Sequence, residues 1–343
     1  MVARRGAGIR YGLCHAALEQ SGIGMKPGRL LCTFAAAGVL SAFLASPICA
    51  PSAFAGAGEA PDLAFGAYQR GHYRDAFAEA TKRVEQDHND GPAMALLGEL
   101  TGGGLGVAPD LKKAAEWFAL AAERGDRNGA YALGMMVLEG RGLPRDEARA
   151  KALLAQAADA GQPSAAYNLG LLALNEKTTE GEARAVKLIR QGADAGVAEA
   201  EYALATLLRD GRGTPADPQG AARLMGQAAR DFYEPAEIQY AIMLFNGEGV
   251  AKDEDGAAKL FARAASRGNP VAQNRLARLY VVGRGVKKDL AEAAAWNMLA
   301  KQAGRDDPWL DKATEILSPE ERDKAAGLAR QRLSAFQLGT FSP

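Results

Sequence analysis

Residues 131–161 read YALGMMVLEGRGLPRDEARAKALLAQAADAG, and residues 240–268 read YAIMLFNGEGVAKDEDGAAKLFARAASRG. Both carry the same features in the same order. An apolar run holds a small residue, a glycine pair follows, then an Asp, then an Ala-rich stretch closed by Gly. Outward from these two stretches the order recurs. The small residue is Gly98, Gly134, Gly170, Ala205, Ala241 and Ala277, at spacings of 36, 36, 35, 36 and 36. The glycine pair is Gly104/Gly106, Gly140/Gly142, Gly211/Gly213, Gly247/Gly249 and Gly283/Gly285. The Asp is Asp110, Asp146, Asp217, Asp253 and Asp289, and the closing glycine is Gly125, Gly161, Gly196, Gly268 and Gly304. Self-similarity at a fixed period of this size marks a repeat array.

Each unit reads as two helices. Tyr131, Leu133, Met136 and Val137 have helical spacing. The glycine pair ends the first helix, because glycine tolerates the left-handed backbone of a C-cap. The Asp then caps the second helix, accepting bonds from backbone N–H groups that have no partner in the helix. Pro218, directly after Asp217, suits the first helical position. The second helix presents a bulky residue at one register, Trp117, Leu153, Leu188, Leu224, Leu260 and Trp296, which is expected to face the core. No single helix pair can bury both its apolar faces, so the units must stack on one another.

Six units span residues 92–306. Residues 56–91 are expected to form an N-terminal capping pair, with Leu63, Phe65 and Tyr68 before Gly71, and Tyr73, Phe77, Ala80 and Val84 after it. Residues 307–343 are expected to form a C-terminal cap and tail. There Ser318-Pro319-Glu320-Glu321 is a capping box that opens a polar helix over 319–335, and the last eight residues are expected to fray. Two units deviate. The third has Asn175–Gly181 in place of the glycine pair and Asp, and the fourth ends on Phe232 in place of Gly. A bulky residue in a left-handed position is strained, so a different local turn is expected at Phe232. Drift in a tolerant loop accounts for these departures; a bend or docking edge over 175–235 is the sharper alternative.

The two quoted stretches resemble the Sel1-like repeat family, a relative of tetratricopeptide repeats with the pattern LGxLYxxGxGVxxDxxKAxxWxxxAAxxG. The resemblance covers about 215 residues, and length, glycine pair, Asp and Ala-rich tail all coincide. It implies an all-α fold: a right-handed α/α superhelical solenoid of about six Sel1-like helical hairpins with helical caps, used for protein–protein contact. Exported bacterial members resemble adaptors and regulators of envelope signalling, exopolysaccharide production or secretion. A cysteine-rich branch has a disulfide in each repeat, a feature this chain departs from.

The N-terminal stretch reads as an address. Residues 30–45, LLCTFAAAGVLSAFLA, are apolar, follow Lys26 and Arg29, and precede Ala53-Phe54-Ala55, a small-x-small cleavage site. Residues 1–55 are therefore expected to be a signal peptide cleaved after Ala55, with Met25 a more typical start than Met1. An uncleaved anchor is the alternative, although the run is short for a membrane span. The whole sequence balances 41 Lys+Arg against 41 Asp+Glu. The leader holds five of the basic residues and one of the acidic, so the mature chain carries 36 against 40, a net −4. That argues against nucleic acid as a partner. The three cysteines, Cys14, Cys32 and Cys49, all leave with the leader, which excludes disulfides and a Cys nucleophile from the mature chain.

Little remains for chemistry. His72 and His88 are the histidines of the mature chain, 16 residues apart, and read as surface or capping residues. The Gly102–Gly106 run follows a helix, not a strand, and lacks the Lys-Ser/Thr of a phosphate loop. Asp306-Asp307 and Asp253-Glu254-Asp255 sit at expected helix starts, where capping accounts for them. No enzyme activity, metal or cofactor is expected. What remains is a surface. Two registers on one side of the first helices vary between units, and Met135, Asn168, Leu171, Gln239, Ile242, Arg275 and Arg278 on them are the candidate partner-binding residues. The expected function is a periplasmic or secreted adaptor or regulator, expected to be a monomer, that binds an envelope protein of sensor, secretion or polysaccharide machinery. The runner-up is a peptidoglycan- or polysaccharide-associated binder or hydrolase, for which Tyr131, Tyr167 and Tyr202 share a register. A membrane-tethered scaffold would require residues 30–45 to be retained.

Overall fold

A computed structural model describes residues 62–338, so the expected leader, its cleavage site and residues 339–343 lie outside the described residues. Among the described residues there are sixteen helices and no strand. The chain divides into two compact units between Leu153 and Leu154. The first holds α1 (Leu63–Gln69), α2 (Tyr73–Gln86), α3 (Gly91–Gly103), α4 (Leu111–Glu123) and α5 (Arg127–Glu139). The division falls within α6 (Glu147–Asp159). The second holds α7 (Pro163–Leu174), α8 (Thr179–Asp194), α9 (Ala198–Asp210), α10 (Pro218–Arg230), α11 (Glu234–Asn246), α12 (Glu254–Ser266), α13 (Pro270–Val282), α14 (Leu290–Gln302), α15 (Pro308–Thr314) and α16 (Pro319–Leu338). In the first unit each helix from α1 to α5 packs on the next, and α3 also touches α5. In the second, α7 to α14 pack in series, and α15 and α16 both lie against α14.

The glycine pair does two jobs. Gly247 closes α11 in the left-handed region at φ 77°, its N–H donating to Met243 O at 2.8 Å. Gly249 serves close approach: a Cβ there would lie 2.0 Å from the carbonyl oxygen of Pro218, the first residue of the preceding repeat's second helix. Asp253 then closes the loop at both ends. Its backbone N–H donates to Leu244 O at 2.9 Å, and its carboxylate accepts from Gly256 N at 2.8 Å. Asp110, Asp217 and Asp289 cap α4, α10 and α14 in the same way.

The small register receives a bulky side chain, but not the expected one. A Cβ on Gly98 would meet the Phe118 ring at 2.7 Å, and one on Gly170 would meet Ile189 Cγ1 at 2.4 Å. The buried series on the second helices is therefore Phe118, Leu154, Ile189, Met225 and Phe261, one residue after the expected register. Of the expected series Leu224 and Trp296 are buried, while Trp117, Leu153, Leu188 and Leu260 are only partly so. One residue turns a helix by about 100°, so both registers border the apolar side. The small partner on the first helix decides between them.

The deviating units part company. In the third, α7 stops at Leu174, Lys177 takes the left-handed position at φ 54°, and Thr178 Oγ1 caps α8 by accepting from Gly181 N at 3.0 Å. That turn replaces the glycine pair and aspartate of the other units. The fourth overturns the expectation. Phe232 keeps the glycine-type turn, with φ 60° and Tyr233 N donating to Ala228 O at 3.0 Å. The equivalent Gly268 has nothing within 4 Å of a built Cβ, so Phe232 meets no clash. It bears only the backbone cost, on the order of 1–2 kcal/mol.

Among the described residues both caps are helical. His72 sits at the N-cap position of α2 without a side-chain capping bond, and His88 is exposed. Ser318 and Glu321 close the capping box reciprocally, at 2.9 and 3.3 Å. The last helix runs to Leu338, three residues past the expected end at 335, and Leu328, Leu333 and Phe336 pack on the core of the second unit; the rest of the expected frayed end lies outside the described residues.

One register changes character along the array. It is Met94, Ala130 and Ala166 in three repeats, then Glu201, Glu237 and Gln273, all buried. Glu237 is ion-paired to Arg263 Nη2 at 2.8 Å and to Arg267. Glu201 has Gln227 and Asp231 at the corresponding positions, so it lacks that guanidinium pair. Burial, with Asp231 nearby, pushes its carboxyl above the ordinary range against the pull of Arg230 and Arg223.

Two outcomes follow for stability. Gly249→Ala is expected to cost clearly more than Gly268→Ala, whose penalty is the backbone term of about 1–2 kcal/mol; equal losses in urea denaturation would show that the Pro218 contact does not matter. Because the folded state disfavours ionised Glu201, its cost is absent at low pH and grows as pH rises above the unfolded carboxyl's range. Glu201→Gln should therefore raise the melting temperature at pH near 7 and lose that advantage below about pH 4. A gain that persists undiminished in acid would contradict this.

Candidate functional site

The second unit contains a cavity of about 390 Å³ lined by α11 (Ile242, Phe245, Asn246), α12 (Phe261), α13 (Arg275, Arg278, Leu279, Val282), the following loop (Arg284) and α15 (Trp309). The repeat itself builds it. Ile242 and Arg278 occupy the same register, just after the small residues Ala241 and Ala277. Phe261 is buried in the same core cluster as those small residues and lines the cavity. Val282 and Trp309, by contrast, keep 49% and 45% of their surface exposed, so large apolar groups face solvent at its mouth.

Its arginines are held differently. Arg278 donates to buried Asp307 through Nε and Nη2 at 2.7 and 3.0 Å, and its guanidinium lies 5.0 Å from the centre of the Trp309 ring. Asn274 Nδ2 donates to the same carboxylate at 2.7 Å, and Asp307 caps α15 by accepting from Trp309 N and Leu310 N. Burial pushes the Asp307 carboxyl up, but the bonds from Arg278 and Asn274 outweigh it and hold the group at about 2. Arg284 donates to Glu254 at 3.1 and 2.5 Å and stacks over Phe245 at 4.1 Å. Arg275 differs from both. Among the described residues it has no ion pair and no hydrogen bond; partial desolvation, and then Arg278 and Arg305, bias it against its proton, and the charge of Asp307 offsets them only in part, although an arginine stays charged in water.

Of the seven candidate residues, the structure brings Ile242, Arg275 and Arg278 to one cavity. Gln239, one turn ahead of Ile242, is partly buried and does not line it. Met135, Asn168 and Leu171 correct the expectation. All three are buried, Met135 in the first unit and the other two on α7, and Asn168 Nδ2 donates to Ser164 O at 2.8 Å. They pack the fold and have no surface to offer a partner. Tyr167 and Tyr202 are buried as well, so their register cannot present exposed rings as a sugar ladder. Sequence reasoning missed Phe245, Arg284, Asp307 and Trp309 as site residues. Arg284 is the residue between the paired glycines, and Asp307-Pro308 repeats the Asp217-Pro218 cap, but neither signal shows which way a side chain turns. Among the described residues no group of three or more His, Cys, Asp or Glu could hold a metal ion.

A family model described as Sel1 repeat matches residues 91–126, 128–162, 163–197, 198–231, 235–269 and 270–296. Among solved structures, the chain is similar to a Sel1 repeat protein from Oxalobacter formigenes, at 24% identity and a TM-score of 0.59, over 71% of this chain and 98% of that one. It is also similar to a protective antigen with an SLR fold from uropathogenic Escherichia coli strains, at 23% identity and a TM-score of 0.48, over 78% of this chain and 66% of that one. No curated protein matches the chain.

Arg278 is built into the fold, contrary to the view of it as a free surface group. Arg278→Ala leaves Asp307 buried without its partner, at an expected cost of about 1–3 kcal/mol, toward the lower end because water reaches part of the guanidinium. The Asp307 carboxyl is depressed, so its contribution is present above the ordinary carboxyl range and disappears as pH falls towards about 2. The gap between wild type and variant should close over that interval. A melt indifferent to the substitution at neutral pH would show that the pair contributes nothing.

Proposed function

The chain belongs to the Sel1 repeat family, a scaffold for protein–protein contact, and from that premise we propose that it is an exported adaptor or regulator in the cell envelope. One observation carries the reading. The two repeat registers that vary between units open, at Ile242, Arg275 and Arg278, into a cavity with exposed apolar side chains and an arginine, Arg275, that makes no ion pair among the described residues. Such a surface suits recognition, where a few anchoring groups carry most of the energy.

Export is supported by the sequence alone: Lys26 and Arg29, the apolar run over 30–45, and Ala53-Phe54-Ala55 stand in the order of a signal peptide. Among the described residues no helix is long and apolar enough to cross a membrane. The mature product is proposed to begin at Gly56 and to act without catalysis, metal or cofactor.

The test is in-cell crosslinking of a C-terminally tagged chain, recovery from the envelope fraction, and mass spectrometry of both the partners and the chain's own N-terminus. One or two near-stoichiometric envelope proteins, with the chain starting at Gly56, is the expected result. Co-purifying glycan without a protein partner would favour the polysaccharide-binding reading, and an intact apolar run would favour tethering.

A further inference from the structure

We propose that the cavity between α11, α13 and α15 recognises an acidic peptide segment of a partner protein, in which an Asp or Glu side chain meets Arg275 and a neighbouring large apolar side chain packs on Trp309 and Val282. The inference rests on the scaffold reading and names the chemistry of its partner.

Charge complementarity is the first argument. Arg275, Arg278 and Arg284 all line the cavity. Asp307 neutralises Arg278, and Glu254 neutralises Arg284. Arg275 makes no ion pair among the described residues: the one carboxylate that acts on it, Asp307, is bonded to Arg278, and Arg305, which adds to the positive potential on Arg275, makes no ion pair there either. The site therefore carries a positive excess on a chain whose mature charge is expected to be negative. Arg278 also keeps Nη1 outside its bonds to Asp307, so a second guanidinium edge is turned to neither partner carboxylate oxygen.

The walls argue for a peptide over a small inorganic anion. Ile242, Phe245, Leu279, Val282 and Trp309 are apolar, and two of them are well exposed. An anion alone would leave that surface wet; a side chain beside the acid covers it, at roughly 25 cal/mol for each Å² removed from water. The receiving groups are already placed. Trp309 is held by the α15 cap and by Arg278 across its ring, and Phe245 by Arg284 across its ring. Little side-chain freedom is lost on binding, which favours affinity.

The experiment uses random peptides displayed on phage, selected on the immobilised mature chain, followed by titration of a fluorescein-labelled winner and of its acid-to-amide counterpart. The expected outcome is enrichment of Asp or Glu next to an aromatic or large aliphatic residue. Arg275→Ala should then weaken the acidic peptide by about tenfold, as loss of a charged hydrogen bond does. The amide peptide should bind wild type as weakly, and the two changes together should cost no more than either alone. Arg275 is exposed and bonded to nothing, so the variant's melt should match wild type and leave the affinity interpretable. Enriched peptides without acid, no enrichment at all, or undiminished affinity in Arg275→Ala would overturn the proposal. So would Arg275-dependent binding of oligogalacturonate in place of peptide. The crosslinking result separates the two readings. A partner captured equally by wild type and Arg275→Ala, with non-acidic peptides selected, sinks the acidic site and keeps the scaffold. Acidic peptides selected with no envelope protein captured sinks the exported adaptor and keeps the site.

Discussion

A side chain on the second helix of a repeat enters a space that the first helix leaves by carrying almost none. Phe118 lies where Gly98 has no Cβ, and Ile189 where Gly170 has none. Both partners are needed. A larger residue on the first helix would push the pair apart, and a smaller one on the second would leave a void that close-packed interiors do not tolerate. With that distance set, the loop length, the left-handed glycine and the aspartate cap follow, since the chain must reverse within a few residues and satisfy the backbone groups at both helix ends.

This is why the architecture was legible in the sequence and much of the surface was not. Periodic small residues, paired glycines and capping aspartates are local requirements, and each leaves a mark at a fixed spacing. The choice between Trp117 and Phe118 as the deeper residue is not local: both border an apolar side, and only the facing Gly98 selects one. Met135 and Leu171 were misplaced for a related reason. A first helix packs against neighbours on more than one side, so a variable register can be buried in one repeat and open in another. Ile242 and Arg278 lie at an opening because α15, which follows the last repeat, meets α13 there. Trp309 and Asp307 arrive on that helix, outside the periodic pattern, and no spacing announces them.

The site is a departure from periodicity superimposed on a periodic frame. Asp307 has the capping duty that Asp110, Asp217, Asp253 and Asp289 also perform, yet it also accepts hydrogen bonds from Arg278 and Asn274 and so binds α15 to the last repeat. Glu201 and Glu237 show the same freedom inside the packing. One register accepts Met, Ala, Gln or Glu, and the environment supplies arginines to one glutamate and not to the other. Phe232 shows it in the backbone, where an open position lets a bulky side chain keep a glycine's conformation.

The contact of the second glycine has a consequence for how such a chain can change length. Gly142 abuts Leu111 O, Gly213 abuts Glu182 O, Gly249 abuts Pro218 O and Gly285 abuts Glu254 O. In each case the partner is a main-chain carbonyl, an atom that every amino acid supplies. The joint between successive repeats is thus indifferent to which side chains flank it. A duplicated or deleted block of one period would meet its new neighbour with the junction already matched, and no compensating substitution would have to arise beside it.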